Sequence, residues 1–90
     1  MSQLNRVKIV LAEADNSLSL WEIKERIQAV FGQIDSEAAI SARIRDIRAV
    51  MEKMDEGTIL GIRVEGKAWQ RYAMQFSRNQ IGAQRNLFAT

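Results

Sequence analysis

DSEAAISARIRDIRAVMEKM, residues 35–54, is the stretch whose reading decides the fold. Its apolar residues Ile40, Ile44, Ile47, Met51 and Met54 recur at intervals of 4, 3, 4 and 3. At about 100° per residue they make one narrow stripe along a helix. The opposite side carries Ala38, Ser41, Ala42, Arg45 and Ala49, with Arg48 beside them. Small side chains let a second molecule come close to the backbone, and guanidinium groups at their edge can reach it. Such a face suits a helix lying in the major groove of DNA, but the same pattern also describes an amphipathic helix with a solvated face. The flanking segments bear on that choice.

Upstream, Ser19 and Glu22 form an S-x-x-E capping box, with Leu18 and Ile23 at the two positions of a hydrophobic staple. Leu20, Ile23, Ile27 and Val30 make the stripe of the helix that starts there, with Trp21 and Phe31 flanking it. Gly32 sits where a left-handed C-terminal residue is wanted. The spacing predicts a helix over Leu20 to Phe31 and a four-residue turn, Gly32 to Asp35. Ile34 is expected to plug the gap between the two helices, and Asp35 or Ser36 to cap the second. A helix, a tight turn with glycine and another amphipathic helix make the helix-turn-helix pattern. Earlier in the chain, Leu4, Val7, Leu11 and Ala14 predict a first helix over Ser2 to Ala14, ended by Asp15, Asn16 and Ser17. Leu18 is placed to add a very short strand.

Beyond Met54 the apolar period changes from 3.6 to 2. Gly57 stops the helix, and Thr58 to Val64 sets Leu60, Ile62 and Val64 on one face and Ile59, Gly61 and Arg63 on the other. Glu65-Gly66-Lys67-Ala68 reads as a hairpin loop. Trp69 to Phe76 follows, with Tyr72, Met74 and Phe76 on one face and Trp69, Arg71, Ala73 and Gln75 on the other. The expectation is a two-stranded ribbon with a core side and a basic aromatic side. Trp69 either stands outward beside Arg63 and Arg71 or closes the core against the first helix. Trp21 either packs or meets a phosphate. From Ser77 onward, SRNQIGAQRNLFAT is polar and lacks a sustained period, so residues 1–76 read as the domain and 77–90 as a mobile tail. Ile81, Leu87 and Phe88 could dock on a partner there, and Arg78 and Arg85 could meet phosphates.

Ninety residues, 47% of them apolar and 27% charged, suit one small globular domain with little room for a large enclosed cavity. The chain has neither cysteine nor histidine, which removes disulfides and the usual zinc ligands. With no signal-peptide pattern and no run of 18 apolar residues, a cytoplasmic protein without a membrane partner is expected. Charge is uneven. Residues 1–35 and 36–56 each hold four Lys/Arg against five Asp/Glu, whereas 57–90 hold five against one. Positive charge therefore concentrates after Gly57, the side from which a polyanion would be met.

Three helices followed by a hairpin, with SARIRDIR at 41–48 and GTILGIRVEGKAWQRYAM at 57–74, resemble the winged helix-turn-helix domain of DNA-binding regulators. The resemblance spans about residues 2–76 and implies an α+β fold whose third helix enters the major groove and whose hairpin, the wing, meets phosphates. It makes Ser36, Ser41, Ala42, Arg45 and Arg48 groove candidates and Arg63, Lys67 and Arg71 wing candidates. VEGKAWQRYAMQF with its polar tail is also similar to the wing region of the Ren family of small lambdoid phage proteins, which implies a phage or prophage origin. The sequence departs from the winged-helix pattern in two respects. Glu37 and Asp46 put carboxylates near the proposed DNA face, and the wing loop of about four residues is short for entering a minor groove.

DNA binding needs cations for phosphates and side chains that touch base edges. Arg45 or Arg48 could pair bidentately with guanine O6 and N7, worth roughly 1 to 3 kcal/mol of discrimination. Arg43, nearer the stripe, is expected to pair with a carboxylate or lay its stem on the core. The catalytic inventory is poor: no nucleophile motif, no phosphate-cradling glycine loop, and Glu22 already used as a cap. No enzyme, cofactor, metal or small-molecule ligand is expected. Double-stranded DNA and a homodimer that reads two half-sites are expected. A protein-interaction module without DNA binding is the competing reading, favoured by the acidic balance before Gly57.

Overall fold

Each helix begins at a serine whose hydroxyl supplies an acceptor that the first helical turn lacks. Ser2 Oγ accepts from the Asn5 N–H at 3.2 Å, Ser19 Oγ from the Glu22 N–H at 3.2 Å, and Ser36 Oγ from the Ala39 N–H at 3.1 Å. The computed structural model describes residues 1–77, in which these caps start α1 (Gln3–Glu13), α2 (Leu20–Phe31) and α3 (Glu37–Lys53). The Glu22 carboxylate accepts in turn from the Ser19 N–H at 3.0 Å, which completes the capping box. Gly32 closes α2 in the left-handed region, φ +68°, its N–H donating to the Gln28 carbonyl. The tail residues 78–90, with Arg78, Ile81, Arg85, Leu87 and Phe88, lie outside the described residues.

The stripes read from the periodicity meet in one core, except that Val30 of the α2 stripe is 67% exposed. Val7, Val10 and Leu11 from α1, Ile23 and Ile27 from α2, and Ile40, Ile44, Ile47 and Met51 from α3 are all buried together. Met54 does not complete its stripe: it caps α3 with φ −90° and is 62% exposed. The chain then turns through Asp55, whose φ is +55°, and the Glu56 N–H donates to the Met51 carbonyl at 2.8 Å. Among the described residues no helix is long and apolar enough to cross a membrane.

The turn between α2 and α3 is filled differently from the expectation. Ile34 is 73% exposed and plugs nothing. Its neighbour Asp35 points inward instead, only 6% exposed. A carboxylate can be buried there because its acceptors are taken: Arg6 donates from Nε to Oδ2 at 3.1 Å and from NH2 to Oδ1 at 2.9 Å, and Gln3 Nε2 donates to Oδ1 at 3.0 Å. Ser36, not Asp35, caps α3, so the aspartate is free to tie α1 to the turn.

The hairpin is part of a three-stranded antiparallel sheet rather than a free two-stranded ribbon. Strands β1 (Leu18–Ser19), β2 (Gly57–Arg63) and β3 (Gln70–Phe76) lie in the order β1-β3-β2. Leu18 pairs with Tyr72 and Ser19 with Arg71, while Ile59 pairs with Met74, Gly61 with Tyr72 and Arg63 with Gln70. Residues directly opposite share a face, so Ile59 joins Tyr72, Met74 and Phe76 on the core side, and Leu60 and Ile62 face outward at 41% exposure each. Arg63 therefore does not stand beside Arg71, which opposes Ile62 on the other face. Apolar residues on both faces of β2 leave its alternation ambiguous, and only the pairing register decides it. Burial stops at Ile59, so the hairpin beyond it stands clear of the core.

The β2–β3 pair is rooted at Gly57. Its φ of +133° belongs to glycine, and a Cβ there would overlap the Gln75 carbonyl oxygen of the paired strand. Gly57→Ala should destabilise the protein by at least about 1 to 3 kcal/mol, the cost of a residue in a sparsely populated backbone region, as read by urea denaturation. A second expectation concerns acid. Hydrogen bonds from Arg6 hold the Asp35 carboxyl below the usual aspartate range, and the Ser19 N–H does the same for Glu22. A carboxyl whose pKa is lower folded than unfolded stabilises the fold fully above the unfolded value, near pH 4, and loses that stabilisation as pH falls through the folded one. Thermal midpoints should fall as pH drops below about 4, and Asp35→Asn should lower the neutral-pH midpoint and flatten that acid limb.

Candidate nucleic-acid interface

The outward face of α3 follows from the same period that buries its stripe. Opposite Ile40, Ile44, Ile47 and Met51 lie Ala38, Arg45 and Ala49, all exposed, and Ser41 and Ala42, both half-buried. Ser36 precedes them as the exposed cap, its hydroxyl occupied by the Ala39 N–H. Two to three turns of helix thus present small side chains around one long cation. Asp46, one of the two carboxylates on this surface, is paired with Arg43 at 3.0 Å across one turn. That pair matches the expectation for Arg43 and removes an uncompensated negative charge from the face.

The cations expected to act together divide into two kinds. Arg48 is half-buried, and its Nε donates to the Ile59 carbonyl at 2.8 Å, fastening α3 to β2. Arg71 donates from Nε to Ser17 Oγ at 3.0 Å and from NH2 to the Ser17 carbonyl, and that same nitrogen lies 2.9 Å from Glu22 Oε1. It fastens β3 to the segment entering α2. Arg48 and Arg71 thus tie elements of the fold together, and both stay partly exposed. Arg45, Arg63 and Lys67 are exposed and, among the described residues, pair with no carboxylate.

Trp69 follows neither of its expected placements. It stays at the surface, 36% exposed, and meets Trp21 of α2 edge to face, ring centres 4.7 Å apart and planes at 79°. The two indoles line an open groove of about 300 Å³ with Leu20, Glu37, Ala68, Gln70 and Tyr72. The groove brings the N-terminus of α3 and the loop end of β3 to one side of the molecule, since Glu37 and Ala68 to Gln70 all line it. Sequence reasoning missed three constellations: Arg6 with Asp35, Arg71 with Glu22, and Glu37 with the two tryptophans. Each joins residues far apart in the chain, and no local spacing announces such pairs. Among the described residues, no group of three or more His, Cys, Asp or Glu side chains converges as a metal site would need.

Comparisons with protein-family models, with curated proteins and with solved structures find no match. The division between tying and unpaired cations therefore rests on geometry, and stability measurements test it. Arg63→Ala and Lys67→Ala should each leave the unfolding free energy within about 0.5 kcal/mol of the parent, as surface changes do. Arg48→Ala, which strips a carbonyl of its donor, should cost about 1 to 3 kcal/mol. Arg71→Ala should be destabilising too, and a double-mutant cycle with Glu22→Gln should return a coupling of roughly 0.5 to 1 kcal/mol, at the upper end for pairs about one-third exposed.

Proposed function

We propose that this chain is a winged helix-turn-helix protein that binds double-stranded DNA in a sequence-dependent way, with α3 in the major groove and the β2–β3 hairpin on neighbouring phosphates. The observation that carries the reading is that Arg45 on α3 and Arg63 and Lys67 on the hairpin are exposed and pair with no carboxylate among the described residues. With Asp46 matched by Arg43, the middle of α3 offers Arg45 amid Ser41, Ala42 and Ala49 without a competing negative charge. In this arrangement Arg45 is the base-reading residue, reaching guanine O6 and N7, and the small residues admit the groove floor. Ser36 lies where α3 would approach the backbone, and its N-terminus favours a phosphate. Arg48 and Arg71 act by holding α3 and the hairpin in place. A small phage or prophage regulator of transcription or replication, working in the cytoplasm as a homodimer on two half-sites about one helical turn apart, fits this chemistry.

One observation favours the second reading, an interaction module that touches no DNA. Glu37, at the first turn of α3, has no cation beside it among the described residues. An uncompensated carboxylate there opposes a phosphate.

Fluorescence anisotropy of a labelled random-sequence duplex, titrated across salt concentrations and followed by selection of preferred sites, separates the two. Binding should weaken steeply with salt, and Arg63→Ala with Lys67→Ala should reduce the log–log slope by about 2, roughly one for each phosphate left without its cation. Arg45→Ala should weaken the selected site by about 1 to 3 kcal/mol while sparing random duplex. Absence of binding at low salt, or indifference to all three substitutions, would overturn the DNA reading.

A further inference from the structure

The groove between α2, the N-terminus of α3 and the start of β3 supplies no base or phosphate contact in the DNA reading, although Ser36 and Lys67 adjoin its lining in the chain. Its walls are two indoles, its floor includes Tyr72, and its one charge is the carboxylate of Glu37. Both tryptophans keep more than a third of their surface in water. The edge-to-face contact holds them at 79°, so two ring faces at near right angles are set before anything binds. Glu37 is fixed by the first turn of α3 and pairs with nothing among the described residues. The nearby cation Arg71 is already committed to Glu22 and Ser17.

We propose that this groove is a docking site for an arginine side chain presented by a partner protein, with the guanidinium against the indoles of Trp21 and Trp69 and its fork on the Glu37 carboxylate. The chemistry selects this occupant on three grounds. The negative ring face attracts a cation, most strongly for tryptophan. A guanidinium is planar and weakly hydrated, so it stacks on an indole and gives up little water, whereas a lysine ammonium holds its hydration. A carboxylate beside the rings receives the two parallel N–H groups of the fork, a geometry an ammonium cannot match. Leu20 and Ala68 supply the apolar surface on which the aliphatic stem of the arginine lies. A volume of about 300 Å³ accommodates one such side chain and is too small for a folded element. A nucleobase would also stack on indole, but Glu37 repels the phosphates that come with it.

The assignment does not rest on the DNA reading, and its test contains no DNA. The chain has two tryptophans, and both line the groove, so intrinsic fluorescence reports on this site alone. The intact protein is titrated with acetyl-Gly-Arg-Gly-amide and, in parallel, with the same peptide carrying lysine or citrulline, the latter a neutral mimic of arginine in shape. The arginine peptide should give a saturable change in emission, with the lysine and citrulline peptides at least fivefold weaker. Glu37→Gln, a change at an exposed position that leaves the fold intact by circular dichroism, should weaken the arginine peptide at least fivefold. Trp69→Phe should halve the signal or more. An arginine response no stronger than that of citrulline, no saturation, or unchanged affinity in Glu37→Gln would overturn the proposal. So would saturable quenching by adenosine monophosphate without a response to the arginine peptide, which would assign the groove to a base.

Discussion

One carboxylate joins the start of α2 to the sheet. Glu22 Oε1 accepts from the Ser19 N–H at 3.0 Å and lies 2.9 Å from an Arg71 nitrogen. The first contact is local and starts α2; the second spans half the chain and brings β3 against the same turn. Ser19 is buried because it is both the cap of α2 and the end of β1, paired across to Arg71. A single side chain therefore sets where α2 begins and where the sheet attaches. Without the carboxylate, the helix start and the sheet edge are deprived of a partner together, an example of neighbouring interactions that do not add independently.

Through this junction the hairpin acquires its direction. β1 is only two residues long, too short to hold a strand by backbone bonds alone, and Arg71 supplements it with bonds to Ser17 on the same segment. On the far edge, Arg48 takes the Ile59 carbonyl of β2. Both edges of the sheet root are thus held by an arginine, one reaching out from β3 and one reaching in from α3. Such ties lower the tendency of an exposed edge to pair with another chain. They also leave the outer half of β2, from Leu60 to Arg63, paired with β3 but outside the buried core, and that projection is what makes the hairpin available for contact.

Local chemistry made much of the fold legible. The Ser19–Glu22 box, Gly32 and the 3.6-residue period placed α2 and α3 within a residue or two, because a cap and a stripe involve residues in consecutive turns. Misreadings arose wherever a distant partner decides. Ile34 looked like the plug of the turn on hydrophobicity alone, yet Asp35 takes the inner position because Arg6 and Gln3, a helix away, satisfy its oxygens. β2 carries apolar residues on both faces, so its inner face was undecidable until the register with β3 was known. The candidate site was legible in part for the same reason: helical angle placed Ser41, Ala42 and Arg45 outward, but it could not show that Arg48 reaches the Ile59 carbonyl, and strand alternation could not show that Arg71 reaches Ser17 and Glu22.

That engagement changes the electrostatic reading of the whole surface. By formal charge, residues 57–90 are the basic end of the chain and residues 36–56 are slightly acidic. Once Arg71 is matched to Glu22 and Asp46 to Arg43, the charges that still act on an approaching molecule are fewer and differently placed. Along α3 they run from Glu37 at the first turn to Arg45 two turns later, a change of sign over roughly 12 Å at 1.5 Å per residue. A uniform polyanion would gain from one end of that gradient and lose at the other. Two ligands of opposite charge would each gain, an anion at Arg45 and the hairpin tip, a cation at Glu37 and the tryptophans. On the two proposals taken together, α3 would meet a nucleic acid at Arg45 and a guanidinium at Glu37.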